Sequence, residues 1–255
     1  MPIAAEMYYF FHKGEERGAP PVVLIHGAGG NHLYWPSEIR RLRPYRSYAL
    51  DLPGHGKSGG RGMQSISAYA QSIIDWLAAV DLPGAVFVGH SMGSAIALAL
   101  ALDYPDQVLG LGLVGAGARL RVHPDILQNT ASETTYQKAI DTIIGCAFSS
   151  SADSRLVELA TRRMAETRPS VLHGDYLACD TFDVMERVAN ISQPSLVICG
   201  EDDQLTPVRY AQFLADRIPS AHLEVIPGAG HMVMLEQPAA VAAALLAFLD
   251  KVPYA

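Results

Sequence analysis

Ala85-Val86-Phe87-Val88-Gly89-His90-Ser91-Met92-Gly93-Ser94-Ala95-Ile96-Ala97-Leu98-Ala99-Leu100 is the stretch on which the fold turns. Its first four residues form a continuous apolar run, the mark of a strand buried on both faces. Its last six, all Ala, Ile and Leu, favour a packed helix. Between them, Gly89 and Gly93 stand two residues before and two after Ser91, which lets the chain reverse sharply and the helix approach the strand closely. A serine on such a turn projects its hydroxyl outward, beside a helix N-terminus whose dipole favours developing negative charge. Gly-x-Ser-x-Gly alone arises by chance in many chains, and the plain competing reading is a helix-capping serine. The flanking strand and helix decide between them.

Working outward, the same alternation recurs. Val22-Val23-Leu24-Ile25 opens into His26-Gly27-Ala28-Gly29-Gly30, and residues 45–50 into Asp51-Leu52-Pro53-Gly54-His55-Gly56. Helices are expected over 31–42, 67–80, 208–218 and 239–252, and further strands over 108–114, 195–199 and 223–226. Strands alternating with helices imply an α/β fold with a mainly parallel sheet covered on both faces. Residues 119–189 break the alternation: they hold helical patterns at 132–144, 153–166 and 181–188 and no good strand. They read as a helical insertion dividing the core into 1–118 and 190–255, since a crossover between parallel strands needs one helix.

Composition narrows the function classes. The 255 residues suffice for one large domain with an inserted lobe, and a formal net charge of −7 gives no basic footprint for nucleic acid. No apolar run reaches the ~20 residues needed to span a bilayer. Residues 1–11 lack the basic start and small-residue cleavage pattern of a secretory signal, so the expected location is cytoplasmic. Three cysteines, Cys146, Cys179 and Cys199, have no metal spacing and leave room for at most one bridge, Cys146–Cys179.

A serine hydroxyl attacks poorly near neutral pH unless a base takes its proton, and histidine matches that task in pKa. Of nine histidines, His231 is favoured because Pro227-Gly228-Ala229-Gly230-His231 follows the last expected strand. His26 and His90 neighbour the turns that form the site and are expected to shape them. The base needs an acidic partner, and Glu201, Asp202 and Asp203 follow another strand; spacing does not choose among them. An oxyanion needs backbone N–H donors. Ala28, with Gly29 beside it, offers one, and Met92, next after the serine on such a turn, offers the other. The glycine loop lacks the Gly-x-Gly-x-x-Gly pattern and the lysine of nucleotide-binding loops. A metal held by the acids and His231 lacks a second histidine, so no cofactor is expected.

Taken together and in order, these motifs resemble the α/β-hydrolase superfamily over nearly the whole chain. His26–Gly29 resembles its oxyanion loop, Asp51–Ser58 the loop after the next strand, and Gly89–Gly93 its nucleophile elbow, with Gly200–Pro207 and Gly230-His231 completing the series. The resemblance implies Asp203 as the acid and a cap over the active site at the helical insertion. Serine at the elbow, rather than the aspartate of haloalkane dehalogenases and epoxide hydrolases, implies acyl transfer and a small-molecule ester or lactone substrate. Carbon–carbon cleavage of diketones and a non-catalytic receptor role stay open. Substrate contacts are expected from Gly27 and Gly29 and from cap residues Ile144, Phe148, Tyr176 and Phe182, with Ile140, Ile143 and Met185 as further apolar candidates.

Overall fold

The computed structural model describes residues 2–15 and 18–254. Eight strands among them form one sheet: β1 (Ile3–Ala4), β2 (Met7–His12), β3 (Val22–Ile25), β4 (Ser47–Leu50), β5 (Ala85–His90), β6 (Val108–Val114), β7 (Ser195–Gly200) and β8 (Ala221–Ile226). Their spatial order is β1-β2-β4-β3-β5-β6-β7-β8. Every pair from β4 to β8 is parallel, and only β1–β2 and β2–β4 are antiparallel. This is the mostly parallel α/β sheet that the alternating pattern implies.

Side-chain alternation along each strand feeds two cores. Val23 and Ile25 of β3 join α2 (Ile66–Ala79) and α3 (Met92–Asp103) on one face, while Val22 and Leu24 join the other face. That second face is covered by α1 (Ser37–Arg40) and, from the C-terminal end of the chain, by α10 (Pro238–Leu249), with α8 (Val208–Arg217) on the first and α9 (Val233–Glu236) leading into α10. Between β6 and β7 come four helices, α4 (Pro124–Thr130), α5 (Tyr136–Ala147), α6 (Ser154–Ala165) and α7 (Pro169–Asp180). Ser91 follows β5 at the centre of the sheet, at the carboxyl end where parallel sheets open to ligands.

Several expected elements differ. The helix expected over 31–42 is a short 3₁₀ turn, His32–Tyr34, capped by the Asn31 side chain, and then α1 alone. Pro36 separates them, because it lacks an N–H and favours the extended backbone seen at Trp35. The helix expected over 181–188 is absent. Its backbone pairs sideways instead: Val184 N–H donates to Ala118 O at 2.8 Å, and Leu120 N–H to Phe182 O at 3.3 Å. The helix that fills this part of the chain is α7, which begins at Pro169. Proline at the first helical position costs nothing, since that N–H has no partner within the helix. The hairpin β1–β2 turns through Ala5 and Glu6, both at positive φ, without the glycine that marks such turns in a sequence. All three cysteines are free, so the Cys146–Cys179 bridge does not form.

Candidate active site

Ser91 sits at φ 52° and ψ −117°, a region that a side-chain-bearing residue adopts only under constraint, at a cost of about 1–3 kcal/mol. The constraint is close packing. A β-carbon on Gly89 would lie 2.1 Å from the Gly93 carbonyl oxygen, and one on Gly93 would lie 2.2 Å from that of Ile25. The Ser91 N–H donates to Val114 O at 2.9 Å, tying the turn to β6. Ser91 is thereby half-exposed on an otherwise buried segment.

The loops after β7 and β8 meet beside it. His231 Nδ1 lies 2.9 Å from Asp203 Oδ2, and both residues are buried. The other Asp203 oxygen accepts the Leu205 and Thr206 N–H groups at 2.9 and 2.8 Å, and the Thr206 hydroxyl donates to Oδ2 at 2.8 Å. Burial alone would raise the Asp203 carboxyl, but the His231 ring and the Thr206 bonds outweigh it and hold it below the usual carboxylate range. Glu201 and Asp202 are exposed and point elsewhere. With Nδ1 facing the Asp203 carboxylate and the Thr206 hydroxyl, Nε2 is the His231 ring nitrogen without a hydrogen-bond partner among the described residues.

Two further histidines bond to the backbone of the turns. His90 donates from Nε2 to His231 O at 3.0 Å, joining the elbow to the histidine loop; burial, and then His231, lower its pKa to about 3. His26 donates from Nδ1 to Gly27 O at 2.8 Å and accepts the Leu52 N–H on Nε2 at 3.1 Å; burial, and then His55, lower it to about 4. Both rings are therefore neutral near pH 7.

The Gly27–Gly30 loop is a tight turn, closed by Gly30 N–H to Gly27 O at 3.0 Å, with Gly29 at φ 65°. The Gly29 N–H donates to Asp175 Oδ2 at 2.8 Å. Of the two neighbours expected to offer a donor, Ala28 alone keeps its N–H without an acceptor among the described residues. Met92 begins α3, so its N–H has no carbonyl one turn behind it within the helix.

These groups open on one cavity of about 460 Å³. Gly27, Ala28, Ser91 and His231 line it, together with Ile144 from α5 and Tyr176 from α7. Gly29, Phe148 and Phe182 do not line it. Gly29 is turned toward α7, Phe148 packs where α5 ends, and Phe182 is buried in the α3-side core once its segment is extended rather than helical. Ile140 and Met185 also lie in the cores rather than on the cavity, whereas Ile143 does line it. Tyr34, Met164 and Met232 line the cavity and carry no sequence signal, because each reaches it by a loop or helix orientation set by packing. Among the described residues no His, Cys, Asp and Glu cluster could hold a metal ion, and no helix is long and apolar enough to cross a membrane.

The alpha/beta hydrolase family matches residues 22–244. A pimeloyl-[acyl-carrier protein] methyl ester esterase from Yersinia enterocolitica is 29% identical over 246 residues, covering 90% of this chain and 93% of its own. A thermophilic esterase of known structure is 38% identical, with a TM-score of 0.82 over 98% of this chain and all of the other. The enol-lactonase from Burkholderia xenovorans LB400 superposes with a TM-score of 0.90 over the same share of this chain and 100% of its own; at 22% identity it speaks to the fold alone. The strained turn at Ser91, the sheet order and the family match converge, and the chain belongs to the alpha/beta hydrolase family and is a hydrolytic enzyme.

Proposed function

We propose that the protein is a serine esterase that cleaves carboxylic esters of small or medium acyl groups through an acyl-enzyme on Ser91. The observation that carries this is Ser91 held at φ 52° over a cavity that His231, oriented by Asp203, also lines. Ser91 Oγ attacks the ester carbon while its proton passes to His231 Nε2. The carbonyl oxygen becomes an oxyanion, received by the N–H groups of Ala28 and Met92. Collapse expels the alcohol, protonated by His231. Water then attacks the acyl carbon, giving its proton to His231, and the second collapse frees the acid and returns the proton to Ser91.

No cofactor enters these steps. Residues 119–189 act as a cap, since its α4, α5, α6 and α7 supply much of the apolar cavity wall, including Ile126, Ile143, Ile144, Met164 and Tyr176. A cavity of about 460 Å³ suits a compact ester rather than a long-chain lipid. The similarity to two esterases, one of them named for a methyl ester, supports the ester bond as the target. The substrate is read as a small molecule of the cytoplasm, and the acidic net charge of −7 argues against nucleic acid as a partner.

The test is turnover of p-nitrophenyl acetate and butyrate, with enol and acyl lactones in parallel, by the unaltered protein and Ser91→Ala. Ester hydrolysis at least ~10³-fold faster than the variant is expected. Lactones cleaved faster than every ester would move the substrate class. No substrate cleaved above the Ser91→Ala rate would point to a ligand-binding role on the same fold.

A further inference from the structure

Asp175, on α7, is fully buried, and three donors converge on its carboxylate. His55 Nε2 approaches Oδ2 at 2.8 Å, Tyr69 O–H donates to Oδ1 at 2.6 Å, and the Gly29 N–H donates to Oδ2 at 2.8 Å. The other His55 nitrogen, Nδ1, faces Pro53 O at 3.0 Å. Both ring nitrogens thus meet acceptors, which only the doubly protonated imidazole satisfies with an N–H on each side. Burial lowers the His55 pKa, but Asp175 beside it outweighs burial and the net direction is upward. The result is a buried ion pair, a device that is costly to bury and is often no better for stability than apolar packing.

The third donor gives the pair another role. The turn Gly27-Ala28-Gly29-Gly30 carries its left-handed residue third, at φ 65°. A turn with the same end points and the central peptide flipped by about half a turn is the common alternative. In that flip the Ala28 carbonyl would replace the Gly29 N–H in front of the Asp175 carboxylate, oxygen against oxygen. Thr167, just beyond α6, holds the next peptide, its hydroxyl donating to Gly29 O at 2.9 Å. Both backbone polar groups of Gly29 therefore end on the helical lobe, and Leu172 of α7 stands 2.6 Å from where a Gly29 β-carbon would be.

We infer that Asp175 is a positioning residue: by holding the Gly29 N–H it fixes the Gly27–Gly30 turn against the lobe, and so sets where the neighbouring Ala28 N–H stands relative to the oxyanion. This rests on the acyl-transfer reading of Ser91 and adds that the lobe sets the oxyanion loop as well as walling the cavity. Asp175 and Thr167 couple the lobe to the oxyanion loop, and removing the carboxylate damages the transition state more than the bound ester.

The test compares Asp175→Ala, Thr167→Val and Tyr69→Phe with the unaltered protein in p-nitrophenyl butyrate hydrolysis. Inhibition by an aryl trifluoromethyl ketone is measured in parallel. Ser91 Oγ adds to that ketone's carbon, its proton passing to His231, and the resulting oxyanion needs the same N–H donors. For Asp175→Ala, kcat falls ~10–100-fold with KM within about twofold, and the ketone inhibition constant rises by a matching factor. Thr167→Val lowers kcat several-fold in the same pattern. Tyr69→Phe, which removes a bond to Asp175 but none to the loop, lowers Tm and leaves kcat within about twofold.

A folded Asp175→Ala with kcat and ketone inhibition within twofold of the unaltered protein overturns the inference, as does a Tyr69→Phe that loses as much kcat. Should Asp175→Ala fail to fold, an unchanged kcat in Thr167→Val overturns it. Turnover by the unaltered protein no faster than by Ser91→Ala refutes the acyl-transfer reading itself, a different failure from the others.

Discussion

Asp203 shows how one side chain is selected from three adjacent acids. Glu201 and Asp202 are exposed, whereas Asp203 is buried and accepts bonds from Leu205, Thr206 and His231. Nothing in the local spacing distinguishes the three; the turn that follows β7 does, by pointing the third one inward and giving it N–H partners. Under the proposed mechanism, the His231 tautomer depends on this carboxylate. Asp203→Asn is expected to lower kcat by about 10³–10⁴-fold, because an amide can donate to Nδ1 and place the proton on the wrong nitrogen. Asp202→Asn is expected to leave kcat within about twofold. Steady-state kinetics on p-nitrophenyl butyrate check both, and the opposite ranking would unseat Asp203. For the same reason Ala28 and Gly29 are alike in sequence, and only the bond from Gly29 to Asp175 tells them apart.

Elements differ in how much of them a sequence reveals. β3, β5, β6 and β7 are legible because strands buried on both faces are apolar at every position. The elbow is legible because close approach of α3 to the sheet excludes any side chain at Gly89 and Gly93. Gly93→Ala is accordingly expected to lower the unfolding free energy by about 3 kcal/mol or more, since the obstructing atom is the Ile25 backbone oxygen and cannot swing aside. Gly145, on α5, is the contrast: nothing lies within 4 Å of an added β-carbon, so Gly145→Ala should stabilise by roughly 0.5–1 kcal/mol through helix propensity. Urea melts of the two variants measure the difference, and equal effects would contradict the packing argument. Less legible was α7, which opens on a proline that punctuates chains and starts helices equally well. The segment from Thr181 was misleading in the other direction: its apolar spacing fits a helix, but its carbonyl and N–H groups find partners across at residues 118–120.

At the scale of the whole molecule, the loops at the carboxyl edge of the sheet are knitted by buried histidines, and this makes stability depend on pH. His26 and His90 are held neutral, with pKa values lowered to about 4 and about 3. In the unfolded chain they regain an ordinary value near 6.5, so below about that pH the unfolded state binds protons the native state refuses. Native stability is therefore lost as pH falls from about 6.5 toward 4, on the order of 2 kcal/mol for each ring by pH 5. His55, raised by Asp175, works with the opposite sign: its contribution is full in acid and is lost as pH rises through its elevated value. With two rings against one, Tm should fall between pH 7 and pH 5; calorimetry at the two values checks this, and an unchanged or rising Tm would contradict it. The sequence by itself determined the α/β class, the strand–turn–helix around Ser91, the candidate His231 and the three-acid loop that holds Asp203, because burial and sharp turns restrict residue type locally. Only the tertiary structure decided which N–H groups stay free, which of residues 119–189 reach the cavity and that Asp175 meets Gly29 from 146 positions away. Those depend on how distant elements dock, and no spacing along the chain encodes the distance between residues that only folding brings together. Ser91 belongs to both: its turn is written in five residues, and its neighbours are chosen by the sheet.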